Sequence, residues 1–222
     1  MDERIAKAIE LYERAVFGGD QAALDQADRE LDAAEADLAL ARGRILHTRF
    51  LDDRDEAGDQ AAEDPHELPL LNRALHLYQV LRDTAGQAEA LFWLGCFYQV
   101  VRRDDTTARP LLARSLKLAT EAGQLATMSE ALRHLGIDAQ RAGRLDQARE
   151  QLEESCRLRR QTGNLAGVAA NQIGLAYIAA AQGRRDDALA VLEEAAALAG
   201  QTAAHRVERY VAEARATLSP AP

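Results

Sequence analysis

From Glu3 to Phe17 the apolar residues Ile5, Ile9, Leu11, Tyr12 and Val16 recur at helical spacing, which predicts an amphipathic helix stopped at Gly18-Gly19. Asp20 is placed to cap a second helix. Leu24, Leu31, Leu38, Ile45 and Leu46 then continue largely at seven-residue steps and carry that helix to about Leu51. Its outer face reads Asp25, Asp28, Glu30, Asp32, Glu35 and Asp37, a solvated acidic surface. The next stretch, DDRDEAGDQAAEDPHE, holds eight acidic residues and no large apolar one, so it cannot bury itself and is expected to be a flexible acidic loop over 52–66. Helix resumes near Pro65, whose fixed φ suits a first turn, and places Leu68, Leu71, Leu75, Tyr78 and Leu81 inward.

Gly86, Gly123, Gly163 and Gly200 divide the second half of the chain into blocks of 37, 40 and 37 residues, each reading as two amphipathic helices. Leu94-Gly95, Leu135-Gly136 and Leu175-Ala176 fill one slot of the first helix, with Tyr98, Ala139 and Ala179 three residues later. A small residue there lets one helix approach its neighbour closely. Gly143 and Gly183 fall at hairpin turns, and Ala108, Ala148 and Ala188 are the small slot of the second helix. Pro110, tolerated in a first turn, predicts a helix start near Thr106 or Thr107 after a turn at Arg103, Asp104 and Asp105. Beyond Gly200, Val207, Tyr210, Val211 and Leu218 predict a capping helix over 201–218, and Ser219 to Pro222 are expected to fray. The chain thus reads as all-α: N-terminal helices over 1–51 packed on an array, the acidic loop, helical repeats over 67–200, and the cap.

The spacing of Leu94-Gly95 with Tyr98, of Leu135-Gly136 with Gly143 and Ala148, and of Gly183 with Ala188 resembles tetratricopeptide repeats over residues 68–200. The aromatic slot of the family holds Leu91, Leu132 and Gln172 here, the closing proline is missing, and the period is near 40, where about 34 is usual. Blocks of this length are similar to the sensor regions of bacterial transcription activators and to stand-alone bacterial repeat proteins. The resemblance implies a right-handed α-solenoid of about nine helices arranged as antiparallel hairpins, whose first helices line a concave groove. Carried over slot by slot, that groove would show Arg44 and His47, then Glu89, Phe92, Cys96 and Gln99, then Glu130, Arg133, Ile137, Gln140 and Arg141, and finally Asn171, Ile173 and Tyr177. Gln99 and Gln140 would grip a peptide backbone, and Arg44, Arg133 and Arg141 a carboxylate or phosphate. The implied function is a non-catalytic protein- or peptide-binding module in assembly or regulation.

Charge narrows the partners. A net −9, with only Lys7 and Lys117 as lysines, argues against nucleic acid, whose phosphates call for clustered cations. No apolar run nears the ~20 residues of a bilayer span, and the charged start MDERIAKAIELYERAVF lacks the pattern of a signal peptide, so a cytoplasmic protein is expected. Cys96 and Cys156 read as packing residues. His47, His66, His76, His134 and His205 show no metal-ligand spacing, and no phosphate-binding glycine loop or nucleophile elbow occurs, so no metal, cofactor or catalytic residue is assigned. Three other readings stay open: a small-ligand sensor with a pocket near Phe92/Trp93 and Arg133/Arg141, an enzyme using His47 and Glu89, and a homodimer joined through an uncapped end.

Overall fold

The computed structural model describes residues 1–219, which contain ten α-helices and no strand. These are α1 (Glu3–Gly18), α2 (Ala22–Ala57), α3 (Glu67–Leu81), α4 (Thr84–Cys96), α5 (Asp105–Glu121), α6 (Leu125–Arg141), α7 (Leu145–Gln161), α8 (Leu165–Ala181), α9 (Arg185–Gln201) and α10 (His205–Leu218). Consecutive helices pack as pairs within two units, one of residues 1–122 and one beginning at Gly123.

In the first unit, α1 stops at Gly19 with φ 70°. Asp20, expected to cap α2, instead gives its carboxylate to Arg14. The α1–α2 contact is made by small residues, Ala8 and Ala15 with Leu11 against Ala23 and Ala27. Of the apolar stripes, Leu11 is buried and Leu46 half-buried, but most of the large residues are outside: Ile5, Ile9, Tyr12, Val16, Leu24, Leu31, Leu38 and Ile45 are 38–56% exposed. Alanine faces win the contact because they let two helix axes approach more closely than leucine faces do.

Helix α2 runs for 36 residues, so Asp52–Ala57 of the expected acidic loop are helical, and Gly58 closes the helix by donating its N–H to the Arg54 carbonyl. A 3₁₀ turn comes next at Gly58–Gln60. Two acidic residues further on are tied down: Glu63 accepts two hydrogen bonds from Arg102 at 2.9 and 3.0 Å, and Asp64 accepts from the His66 backbone at 2.8 Å. The C-terminal half of α2 buries Ala36, Ala39 and Leu40 against Leu71, Ala74, Leu77 and Tyr78 of α3, and the cluster extends to Leu94 and Phe97.

Gly86 lies in the first turn of α4, directly against the Tyr78 ring, and does not end a block. After Cys96 the helix loosens into a π turn, Phe97–Val101. Asp104 then caps α5, accepting from the Thr107 N–H at 3.0 Å. Pro110 is the sixth residue of α5, on its exposed side, in the second turn and not the first; the cost is one backbone bond to Thr106.

The second unit is more regular. Helices α6, α7, α8 and α9 each have 17 residues. Gly123, Gly143, Gly163 and Gly183 recur every 20 residues with φ between 67° and 78°, a left-handed turn that glycine adopts without cost; the non-glycines Arg103 and Ala203 hold it at 55° and 50°. After Gly143, Gly163 and Gly183 the N–H of the next residue reaches back to end the preceding helix, as Arg144 to the Ala139 carbonyl and Arg184 to the Ala179 carbonyl, both 2.9 Å. Gly200 lies inside α9, so the repeat is marked by these turns rather than by Gly200. The core repeats as well: Ala148 and Ala188, Leu152 and Leu192 are fully buried. A Cβ built on Gly136 would sit 3.0 Å from Leu152 Cγ, the close approach that the Leu-Gly pair implied. Helix α10 buries Val211 and Ala214 against α9 and α8. The fraying expected for the tail falls, from Pro220 on, outside the described residues.

Candidate functional site

The groove candidates of the first unit separate into exposed and buried groups. Arg44 is exposed, pairs with Glu89 at 3.0 Å and sits 5.3 Å from the centre of the Trp93 ring. Trp93 in turn meets His47 edge-on at 5.5 Å and Phe92 at 5.1 Å. His47, Phe92 and Gln99 are buried, at 4%, 4% and 1% exposure, and so do not present themselves to a partner as expected. His47 Nδ1 shares a 2.8 Å hydrogen bond with Oε1 of the fully buried Glu67, so this imidazole is a structural group and not an acid-base partner for Glu89. Gln99 belongs to the π turn, whose added residue shifts the register on which its groove assignment rested. The aromatic run FWLGCFY therefore fills the interior, with Phe92 and Phe97 buried and Trp93 held between Arg44 and His47.

In the second unit the candidates assemble into a polar relay. Arg133 Nη1 donates to the Ala170 carbonyl and to Asn171 Oδ1, both at 2.9 Å. Asn171, fully buried, donates from Nδ2 to Ser155 Oγ at 2.7 Å, and Ser155 donates to the Ser129 carbonyl at 2.6 Å. Asn171 thus fixes α6, α7 and α8 to one another, a correction to its expected place in an open groove. Glu130 is engaged with the buried Arg159 guanidinium, for which Gly167 leaves room. Gln140 is half-buried and Arg141 exposed. The Cys156 thiol is pushed above its usual range by burial, which keeps it protonated and unreactive.

Beside this relay lies a cleft of about 300 Å³, lined by Arg133, Ile137, Leu152, Ala170, Ile173, Gly174 and Tyr177, with Tyr210 and Glu213 of α10 on its far side. Arg133, Ile137, Ile173 and Tyr177 are candidates that the helical slots had placed in the groove. Gly174, Tyr210 and Glu213 were missed. Gly174 carried a signal, since a glycine inside a helix costs stability and marks a close approach; its Cβ would lie 2.9 Å from Leu152 Cδ1. Nothing in the spacing marked Glu213. The cleft has apolar walls, two phenol rings, and a cation and a carboxylate at its polar positions, a set suited to holding a side chain. Among the described residues no group of three His, Cys, Asp or Glu side chains is placed to hold a metal ion. No helix among them is long and apolar enough to cross a membrane.

A wider cleft of about 650 Å³ lies in the first unit between α2 and α3, with Ile45, Leu46, Pro69 and Leu70 forming its floor and Arg42, Arg49, His66 and Arg73 its rim. Arg73 is held by Glu35 through two 2.8 Å hydrogen bonds.

Residues 127–201 match the tetratricopeptide repeat family. No curated protein matches the sequence. Among solved structures, the fold is similar to a crystal structure of nearly identical TPR-like repeats of a kinesin light chain from Podosopora anserina, with 18% identity and a TM-score of 0.52, covering 80% of this chain and 89% of that one. Helices pairing with their sequence neighbours, left-handed turns every 20 residues, and this match over α6–α9 lead to one conclusion: residues 127–201 carry tetratricopeptide repeats, and the fold around them is all-α and solenoid-type.

Proposed function

We propose that the protein is a non-catalytic module that binds a segment of a protein partner, and that the cleft of the second unit seats one large apolar side chain of that segment. Tetratricopeptide repeats are in general protein-binding scaffolds, and the observation that carries the reading here is the cleft itself. Its volume is at the small end of ligand sites, its walls are Ile137, Ile173, Tyr177 and Tyr210, and Glu213 stands at its edge. Arg133 is already engaged by the Ala170 carbonyl and Asn171, so Glu213 is the group left to select charge. The partner segment is therefore an aromatic or branched residue beside a lysine or arginine, and a net charge of −9 attracts such a basic segment and opposes nucleic acid. Two free, buried cysteines fit work in a reducing cytoplasm, in assembly or regulation.

Selection of a random peptide library on the immobilised protein, followed by fluorescence anisotropy of the enriched peptides, tests this. Enrichment of an apolar anchor next to Lys or Arg is expected, with affinity falling at least about tenfold in Tyr177→Ala and in Glu213→Lys. Enriched peptides that bind both variants as they bind the wild type would remove the cleft from the function.

A further inference from the structure

We infer that the outer face of the α1–α2 hairpin binds a second copy of this chain, with the two α2 helices antiparallel. Four of the large apolar residues on this face directly follow one that faces the other helix: Ile9 follows Ala8, Tyr12 follows Leu11, Val16 follows Ala15, and Leu24 follows Ala23; Leu31 and Leu38 repeat the position of Leu24 at seven-residue steps. One residue is a 100° turn of an α-helix, and a turn of the same sense on two antiparallel helices leads to the same side of the hairpin. The α1 stripe of Ile5, Ile9, Tyr12 and Val16 and the α2 stripe of Leu24, Leu31 and Leu38 therefore form one surface, continued along α2 by Ile45 at the edge of the α2–α3 cleft.

Area and charge both select a second copy. The eight side chains are 38–56% exposed, which at roughly 100 Å² each leaves on the order of 800 Å² of apolar surface, about what one partner contributes to a standard interface and more than a monomer ordinarily exposes in one patch. The leucine stripe steps by seven residues, the repeat of a coiled-coil seam. Beside it run Asp28, Glu35, Arg42 and Arg49, also seven apart, acidic toward the N-terminal end of α2 and basic toward the C-terminal end. Such a row repels a parallel copy of itself, whereas an antiparallel copy sets Asp28 against Arg42 twice and leaves Glu35, held by Arg73 of its own chain, at the two-fold axis. Pairing Leu24 with Ile45 and Leu31 with Leu38 of the second copy brings Asp28 within one helical turn of that copy's Arg42. Among the described residues neither Asp28 nor Arg42 has an ion-pair partner within its own chain. A two-fold axis at the middle of the stripe makes every contact occur twice, the isologous arrangement usual for dimers.

Light scattering coupled to size exclusion, run on the full chain over a dilution series, reads the outcome directly. The wild type is expected at twice the 24.2 kDa chain mass. Leu31→Glu/Leu38→Glu, which alters only exposed positions, is expected to run as a single chain with an unchanged circular dichroism spectrum and a dissociation constant raised at least about a hundredfold. Asp28→Arg should weaken the dimer by about tenfold or more, and Asp28→Arg/Arg42→Asp should restore it, since each acid then again meets a base. A wild type of single-chain mass at every concentration would overturn the inference and leave the face to a different protein. A dimer that survives Leu31→Glu/Leu38→Glu would place the interface elsewhere, and failure of the charge reversal to restore association would exclude the antiparallel register.

Discussion

The α1–α2 hairpin and the α8–α9 hairpin are built from the same materials and treat them differently. In both, alanines make the helix-to-helix contact: Ala8, Ala15, Ala23 and Ala27 in the first, Ala176, Ala179, Ala188 and Ala195 in the second. In α8–α9 the large residues are then covered, so that Ile178 and Leu192 are fully buried, with α7 on one side and α10 on the other. In α1–α2 the corresponding large residues stay on the outside. The difference teaches that small residues let two helices of a hairpin pair closely, with a single leucine such as Leu11 or Leu152 admitted between them, while the flanking large residues need a further element to cover them. Where no described helix covers it, as on α1–α2, the leucine face remains an interface in waiting.

That contrast can be broken most severely at the buried pair beneath it. His47→Ala strips the partner from Glu67 and is expected to lower stability by about 3–5 kcal/mol, with His47→Leu/Glu67→Leu recovering most of the loss; urea denaturation of the three proteins measures this. Next comes the direct comparison of leucines. Leu192→Ala empties a fully buried site and should cost about 2–5 kcal/mol. Leu31→Ala, measured in the same titration at a dilution where copies are separate, should stay within about 0.5 kcal/mol of wild type, because its side chain is 44% exposed. Equal losses at the two positions would mean that the outer face of α1–α2 is covered within a single chain.

A gentler change sharpens the regularity of the second unit. Ala203 holds φ 50° at the position where the preceding turns have glycine, and Ala203→Gly should raise the melting temperature by an amount equivalent to about 1 kcal/mol. The smallest effect concerns acid. Arg4 holds the exposed Asp2 carboxyl down at about 2, and Arg73 holds the Glu35 carboxyl below its usual range, in each case chiefly through side-chain hydrogen bonds. A carboxyl lowered by folding stabilises the fold above its unfolded value and loses that contribution as pH falls through its folded value. Arg4→Gln and Arg73→Gln should therefore lower the melting temperature slightly at pH 7 and leave it unchanged once both carboxyls are protonated.

The hairpin repeat was legible because it rests on backbone punctuation and small-residue slots. Gly143 and Gly183 sit in the turns their spacing suggested, and Gly136 meets Leu152 closely. The N-terminal hairpin misled because Leu24, Leu31 and Leu38 look like a core stripe whether what covers them is in the same chain or another; periodicity gives the angle of a stripe and not its occupant. Groove residues were read least well. Asn171 and Gln99 are polar, and polarity suggested exposure, yet Asn171 is buried because Arg133 and Ser155 satisfy its amide. Glu213 entered the cleft from a helix treated only as a cover, and its sharing one cleft with Arg133, 80 residues earlier, leaves no trace in local spacing.

The π turn in the first unit has a consequence for how length changes spread through the chain. From α3 onward, left-handed non-helical positions fall at Arg82, Arg103, Gly123, Gly143, Gly163, Gly183 and Ala203, so from there every interval is 20 residues except the first, which is 21. That longer interval contains Phe97–Val101, where five residues occupy a widened loop of helix. The surplus residue is absorbed within the turn of the helix that carries it, and the count resumes unshifted at Arg103. Lineages could thus lengthen one repeat by a single residue without rephasing any other, leaving the insertion recorded as a local swelling of one helix while the downstream register stays intact.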